Sequence, residues 1–109
     1  MAISPVEAIN RVNQQVAVEM LVQAAKNCQH CLQIFLDSET DHHDPKNLAV
    51  AVTELGKAKF KEAKIDDPAG HFQGKTIRVT GTVILKENRP HIEVNDPHQI
   101  EMAEGRVTG

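Results

Sequence analysis

Apolar and polar residues alternate along much of the chain, which is the pattern typical of β-strands with one buried face. Five strands are predicted in this way. Their inward positions are Val16, Val18, Met20, Val22 and Ala24 in the first, Leu32, Ile34 and Leu36 in the second, Leu48, Val50 and Val52 in the third, Ile77, Val79, Val83 and Leu85 in the fourth, and Ile92 and Val94 in the fifth. The polar segments 25–30 and 37–47 are predicted as a turn and a long loop.

Helical signals occupy three places. Ser4 followed by Pro5 begins a short helix with a capping box. Residues 54–65 carry apolar and lysine positions at helical spacing and are predicted as an amphipathic helix. A further helical turn begins with Asp67 as its N-cap and ends at Gly74 in a left-handed conformation.

The order of these elements is three strands, a helical segment and two strands. It matches the five-stranded Greek-key barrel called the OB-fold, a mainly β fold with a helix between strands three and four. Gly81 in the middle of the fourth strand predicts a bulge or a sharp bend. Ile100 is expected to close the core, and residues 101–109 are expected to fray.

A chain of 109 residues suits a single domain. We expect an N-terminal helical extension at 1–11, the OB-fold domain at 12–102 and a flexible tail at 103–109. No apolar run approaches the roughly 20 residues that span a bilayer, and the N-terminus lacks the features of a signal peptide. The expectation is a soluble, cytoplasmic protein with no membrane partner.

Charge and aromatic content limit the possible ligands. Twelve Lys and Arg against fifteen Asp and Glu leave a net charge of −3, which argues against broad electrostatic binding. The chain has no Trp, no Tyr and only three Phe, so an aromatic-lined ligand pocket is not expected.

Several short motifs resemble a group of bacterial OB-fold domains. They are FQGKTIRVTGTV at 72–83, RPHIEV at 89–94, DPHQI at 96–100 and DHHDPKN at 41–47. Domains of this group are frequent in planctomycete proteins, and some are attached to nucleases. The resemblance implies an OB-fold over roughly 12–102 and implies no catalytic residue.

Metal and redox sites have weak signals. Cys28 and Cys31, with His30, His42 and His43 nearby, are ligand types for zinc, but the adjacent histidines lack zinc-finger spacing. The alternative is two reduced cysteines on a hairpin loop. We predict no bound metal and no cofactor.

Other chemical motifs are incomplete. The acidic positions between 37 and 44 lack the Gly and Glu of a calcium loop, which leaves a weak surface cation site or a solvated acidic loop. Gly74-Lys75-Thr76 matches only the last three residues of a phosphate-binding loop and lacks its leading glycine. No catalytic triad can be assembled from spacing alone, so we expect no enzyme activity.

An OB-fold binds ligands across its second and third strands, between the loops that join strands one to two and four to five. The candidate binding residues are therefore Lys26, Asn27, His30, Phe35, Lys86, Asn88, Arg89 and His91. Phe35 is out of phase with its apolar neighbours and is the one candidate for base stacking.

Two function classes remain open. The first is a non-catalytic module that binds single-stranded nucleic acid. The second is a protein interaction domain that uses the same face or an edge strand. They differ in salt response, because phosphate binding weakens steeply with salt. A metal-dependent enzyme has the least support.

Overall fold

The computed structural model describes residues 2–28, 30 and 32–103. Its strands are β1 Gln15–Leu21, β2 Ala24–Cys28, β3 Gln33–Asp37, β4 Ala49–Val52, β5 Thr76–Lys86, β6 Arg89–Val94 and β7 Ile100–Met102. Its helices are α1 Pro5–Ala8, α2 Glu54–Glu62, α3 Pro68–Phe72 and the short 3₁₀ helix Pro97–Gln99. No helix in this described part of the chain is long and apolar enough to cross a membrane.

The strands form one sheet in the order β1-β5-β6-β4-β3-β2, with β7 also paired to β5. All pairs are antiparallel except β4 with β6. The protein is therefore mainly β and consistent with an OB-like fold. The predicted count of five strands and the closed barrel differ from this open sheet of seven.

Two sequence predictions are wrong in part: the turn at 25–30 and the fraying that was expected from residue 101 onward. Residues 25–28 belong to β2, because hydrogen bonding to β3 makes a strand of a segment with little apolar content. Residues Glu101 and Met102 pair with β5 and are not frayed. Residues 104–109 of the predicted tail lie outside the described part of the chain.

The inner face of the sheet holds the apolar core. Ile77, Val79 and Val83 are fully buried as predicted, and Ile100 is 9% exposed. Leu85 is 53% exposed, contrary to the prediction, because β5 continues toward its hairpin turn beyond the core. Leu32 is also wrongly placed in the core, since it lies in the β2–β3 turn and is 48% exposed.

The predicted helix signals are confirmed. Ser4 and Glu7 form a capping box at α1, and Asp67 accepts a hydrogen bond from Gly70 N as the N-cap of α3. Gly74 has a φ of +81°, which is a left-handed conformation that glycine adopts without strain. These caps fix where the connections leave the core.

Gly81 has a packing role. A Cβ atom built on Gly81 would lie 2.6 Å from Ile92 Cγ2 on the adjacent inner face. Immediately after Gly81 and Thr82, β5 changes its partner from β1 to β6. The absence of a side chain therefore lets β6 approach at the point where β5 passes from one partner to the other.

Candidate functional site

The outer face of β2, β3, β4 and β6 forms the floor of a cleft of about 1120 Å³. Alternation places Phe35 and Asp37 of β3 on this face, because the intervening Leu36 is buried in the core. Residues 42–45 and 47 and the β5–β6 hairpin form its walls. The cleft therefore lies across the predicted strands two and three and beside the predicted loop between strands four and five. Its other wall is the loop that follows β3 and not the predicted loop at 25–30, because residues 25–28 belong to β2.

Six of the eight predicted binding residues line this cleft. They are Lys26, Phe35, Lys86, Asn88, Arg89 and His91. Asn27 has the opposite parity to Lys26 in β2, and His30 lies in the turn that follows, so neither contributes to the lining. Their roles as ligand contacts stay predictions.

Two rings lie close together on the floor. The centroids of Phe35 and His91 are 6.1 Å apart, and the ring planes meet at 77°. His91 Nδ1 lies 3.0 Å from the carbonyl oxygen of Arg89, which fixes the imidazole within β6. Phe35 is only half-buried, so a planar ligand has an aromatic surface available.

The β5–β6 hairpin ends in a tight turn. Glu87 and Asn88 have φ values of 53° and 65°, the left-handed pair that a two-residue hairpin turn requires. The turn places Lys86 opposite Arg89 in the register. Both cations therefore stand at one wall of the cleft.

The cations of the cleft differ in their partners. Lys86 Nζ lies 4.0 Å from Glu93 Oε2, and Arg89 Nη1 donates to the carbonyl oxygen of His42 at 3.1 Å. Lys26 has no salt bridge within the described residues. Lys26 is therefore the cation most available for an anionic ligand.

A buried polar cluster supports the loop wall of the cleft. Asn47 Oδ1 accepts hydrogen bonds from Glu39 N at 2.9 Å and from Ser38 Oγ at 3.4 Å. Asn47 Nδ2 donates to Asp37 Oδ1 at 3.2 Å, and Leu48 N donates to Ser38 Oγ at 2.8 Å. Asn47 thereby joins both ends of the loop that follows β3.

Asp37 is the main feature of the cleft that was not among the predicted binding residues; the sequence suggested it only as one carboxylate of a weak surface cation site. Its side chain is nearly buried, and this burial raises the pKa of the carboxyl above its usual value. The Asn47 hydrogen bond and the nearby His42, Lys26 and His91 oppose that rise in pKa. In the sequence Asp37 is one of several acidic residues in a polar run, and nothing marks it as buried.

A group of exposed metal-ligand side chains lies in the loop wall. One ligand atom from each of Asp41, His42 and His43 falls within 4.8 Å of the others. The pKa of Asp41 is lowered, mainly because His43 N donates to its carboxylate. Cys28 is disulfide-bonded, so the predicted reduced thiol is wrong and no thiolate is available there. Cys31 lies outside the described residues.

Comparisons with known proteins establish the fold alone. No family model matches the chain, and no curated protein matches its sequence. The resemblance to bacterial OB-fold domains therefore stays a prediction.

Solved structures of tRNA synthetases are similar to the chain. The asparaginyl-tRNA synthetase of Pyrococcus horikoshii, complexed with asparaginyl-adenylate, matches 94% of this chain and 22% of its own, with a TM-score of 0.61 and 16% identity. A putative aspartyl-tRNA synthetase from Leishmania major Friedlin matches 94% of this chain and 20% of its own, with a TM-score of 0.59 and 12% identity. The aspartyl-tRNA synthetase of Entamoeba histolytica matches 94% of this chain and 21% of its own, with a TM-score of 0.58 and 15% identity.

The chain spans about a fifth of the length of these synthetases. One part of each enzyme thus shares the fold of this protein. The class defined by the fold is a mainly β, OB-like domain.

Proposed function

We propose that this chain is a non-catalytic OB-like module that binds single-stranded nucleic acid in the cleft over β3 and β4. The observation that carries the proposal is the set of groups that the fold brings there. A half-buried phenyl ring, an imidazole and three cations lie between two loops on one strand face. Base stacking with backbone neutralisation is how OB-folds hold single strands.

The topology supports the same choice of face. Only Val22 and Gln23 separate β1 from β2, so these strands correspond to two halves of one bent strand. With that correspondence β3 and β4 take the places of strands two and three of an OB-fold, while the sheet itself stays open. The similar structures belong to enzymes whose names include tRNA, which favours a nucleic-acid ligand by analogy of fold.

The charge of the cleft predicts weak binding. The lining cations Lys26, Lys86 and Arg89 are balanced by lining carboxylates of Asp37, Asp44 and Glu87. Long-range attraction to phosphate is therefore small, and stacking must supply much of the affinity.

Fluorescence anisotropy with mixed-sequence oligonucleotides tests the proposal. At about 20 mM salt we expect single strands to bind more tightly than duplexes of the same sequence, and at about 200 mM we expect weaker binding. Absence of binding at low salt, or equal binding of duplex and single strand, would reject the proposal.

A protein ligand is the second candidate. Among the described residues β2 pairs with β3 only, so its other edge is available for an added strand. Such a partner would bind by backbone hydrogen bonds and would show little dependence on salt. Salt-independent capture of an extended peptide, with no oligonucleotide binding, would favour this alternative.

A further inference from the structure

Asp37 carries a further inference, which rests on the proposed function and concerns which base the cleft prefers. Its side chain is 5% exposed and lines the cleft floor. Oδ1 accepts from Asn47, whereas Oδ2 has no hydrogen-bond donor within the described residues. Oδ2 is not among the fully enclosed unpaired atoms of the described residues, so it is open to the cleft and can accept a donor from a ligand.

The neighbours of Asp37 leave room for a flat ring. In the sheet register Asp37 lies opposite Ala49, and Ala49 lies opposite His91. Ala49 is itself only 6% exposed but lines the cleft, and its small side chain fills little of the space between the carboxylate and the imidazole. A planar group over Ala49 would therefore meet a hydrogen-bond acceptor at one side and an aromatic ring at the other.

Phe35 is placed to hold such a group. It precedes Asp37 by two residues on the same face of β3, a separation of about 6.7 Å along a strand. A base that stacks on the phenyl ring can therefore extend its hydrogen-bonding edge toward the carboxylate. Stacking and edge recognition would come from one strand.

The chemistry of the acceptor selects among the bases. A carboxylate offers two oxygens that together accept a pair of parallel N–H donors. Guanine presents such a pair, N1–H beside the N2 amino group. Adenine and cytosine present an amino donor next to a ring nitrogen that repels the carboxylate, and thymine and uracil present a single N–H between two carbonyl groups.

We infer that the cleft contains a base subsite in which Phe35 stacks a nucleobase and Asp37 accepts hydrogen bonds from the Watson–Crick edge of guanine. Burial raises the pKa of Asp37, whereas the hydrogen bond from Asn47 and the nearby His42, Lys26 and His91 oppose that rise. The proposed module would thus prefer strands that contain an unpaired guanine over strands that lack one.

Short oligonucleotides with a single variable base test this inference. The series is a thymidine or uridine 9-mer with guanine, hypoxanthine or adenine at its centre, measured by anisotropy at low salt. Hypoxanthine keeps N1–H and lacks the N2 amino group. We expect the guanine strand to bind about tenfold more tightly than the hypoxanthine strand. A tenfold ratio corresponds to the lower limit of the free energy of one hydrogen bond to a charged group.

Variants of the protein complete the test. Asp37→Asn should bring the ratio of guanine to hypoxanthine affinity close to one while the all-thymidine 9-mer still binds. Glu39→Gln is the matched control, since Glu39 lies two residues away and does not line the cleft; it should keep the ratio. Melting temperatures would verify that both variants fold.

The outcomes separate the inference from the proposed function. If the guanine and hypoxanthine strands bind the wild type equally, or if Asp37→Asn keeps the preference, the guanine subsite is wrong and the nucleic-acid module stands. If no strand binds at all, the proposed function fails and the subsite fails with it.

Discussion

The inner and outer faces of β3, β4 and β6 are built from alternate residues of the same strands, yet they differ in kind. The inner positions are aliphatic and at most 1% exposed, namely Ile34, Leu36, Val50, Val52, Ile92 and Val94. The outer positions of the cleft are chemically diverse, with a phenyl ring, a carboxylate, an alanine and an imidazole at Phe35, Asp37, Ala49 and His91. The inner face can exchange one aliphatic group for another, whereas the proposed function gives each outer group a separate role.

This difference separates two kinds of effect. Substitutions on the inner face should lower stability, and substitutions on the outer face should lower affinity with little change in stability.

Val79→Asp should have the largest effect, because it places a carboxylate with no partner in the fully buried core. We expect a loss of several kcal/mol, on the order of the stability of a whole small domain, about 5 kcal/mol or more. The control is Thr80→Asp, since Thr80 is the exposed neighbour on the same strand. Chemical unfolding that finds equal stability for the two variants would contradict the assigned faces of β5.

Two phenylalanine variants should give opposite results. Phe60 is 1% exposed and packs edge-to-face on Phe72, so Phe60→Ala should cost about 3 to 5 kcal/mol of stability. Phe35→Ala should reduce oligonucleotide affinity by about 1 to 3 kcal/mol per stacked base and change stability much less. Unfolding and binding measured on both variants test this; unchanged affinity in Phe35→Ala removes the stacking role.

The salt dependence of binding should identify which cations contact phosphate. The slope of log affinity against log salt is negative, and each phosphate contact adds about 0.7 to its magnitude on single strands. Loss of both Lys86 and Arg89 therefore lowers that magnitude by at most roughly 1.4. Because Lys86 and Arg89 already have partners, we expect their joint replacement to lower the magnitude of the slope by less than this limit. Lys26→Gln alone should lower it by close to 0.7.

Lys61→Gln on α2 is the control for these variants, because Lys61 does not line the cleft. It should leave the slope unchanged. If Lys61→Gln changes the slope as much as Lys26→Gln does, binding is not confined to the cleft.

Two aspartates should respond to acid with opposite signs. Asp96 caps the 3₁₀ helix, and its pKa is lowered to about 2, mainly by the hydrogen bond from His98 N and then by the His98 side chain, with a smaller contribution from Lys59. Its stabilisation is complete above the unfolded value near 3.8 and is lost as the pH falls toward 2. Asp96→Asn should therefore lower the melting temperature at pH 7 and have little effect at pH 2.

Asp37 has a raised pKa, mainly because of burial, so folding disfavours its ionised form relative to the unfolded chain. The folded state then binds the proton more tightly, and stability due to this group rises as the pH falls toward the unfolded value. Asp37→Asn should raise the melting temperature slightly at neutral pH, and the gain should shrink in acid. A fall in melting temperature at neutral pH would contradict the burial argument.

The sequence predicted the inner face well because a single physical rule governs it. Val79 and Ile92 are buried where alternation places them. The same rule failed for Leu85 and Leu32, because parity shows which side a residue faces and not where the core ends. It also missed β2, whose alanines and polar residues form a strand only through pairing with β3.

The outer face was predictable only in part. Phe35 could be identified because an aromatic residue at an outward position breaks the alternation. Asp37 could not, because it is buried beside Asn47, a hydrogen-bond partner ten residues later in the chain. A hydrogen bond across a loop leaves no periodic trace in the sequence, and the guanine subsite therefore required the structure.

The central claim is that the outer face of β3, β4 and β6 binds a single strand, and amide chemical-shift mapping during an oligonucleotide titration tests it most directly. We expect saturable shifts in Gln33–Asp37 and Arg89–Val94, with α2 unaffected. Shifts confined to α2, or no shifts at low salt, would contradict it.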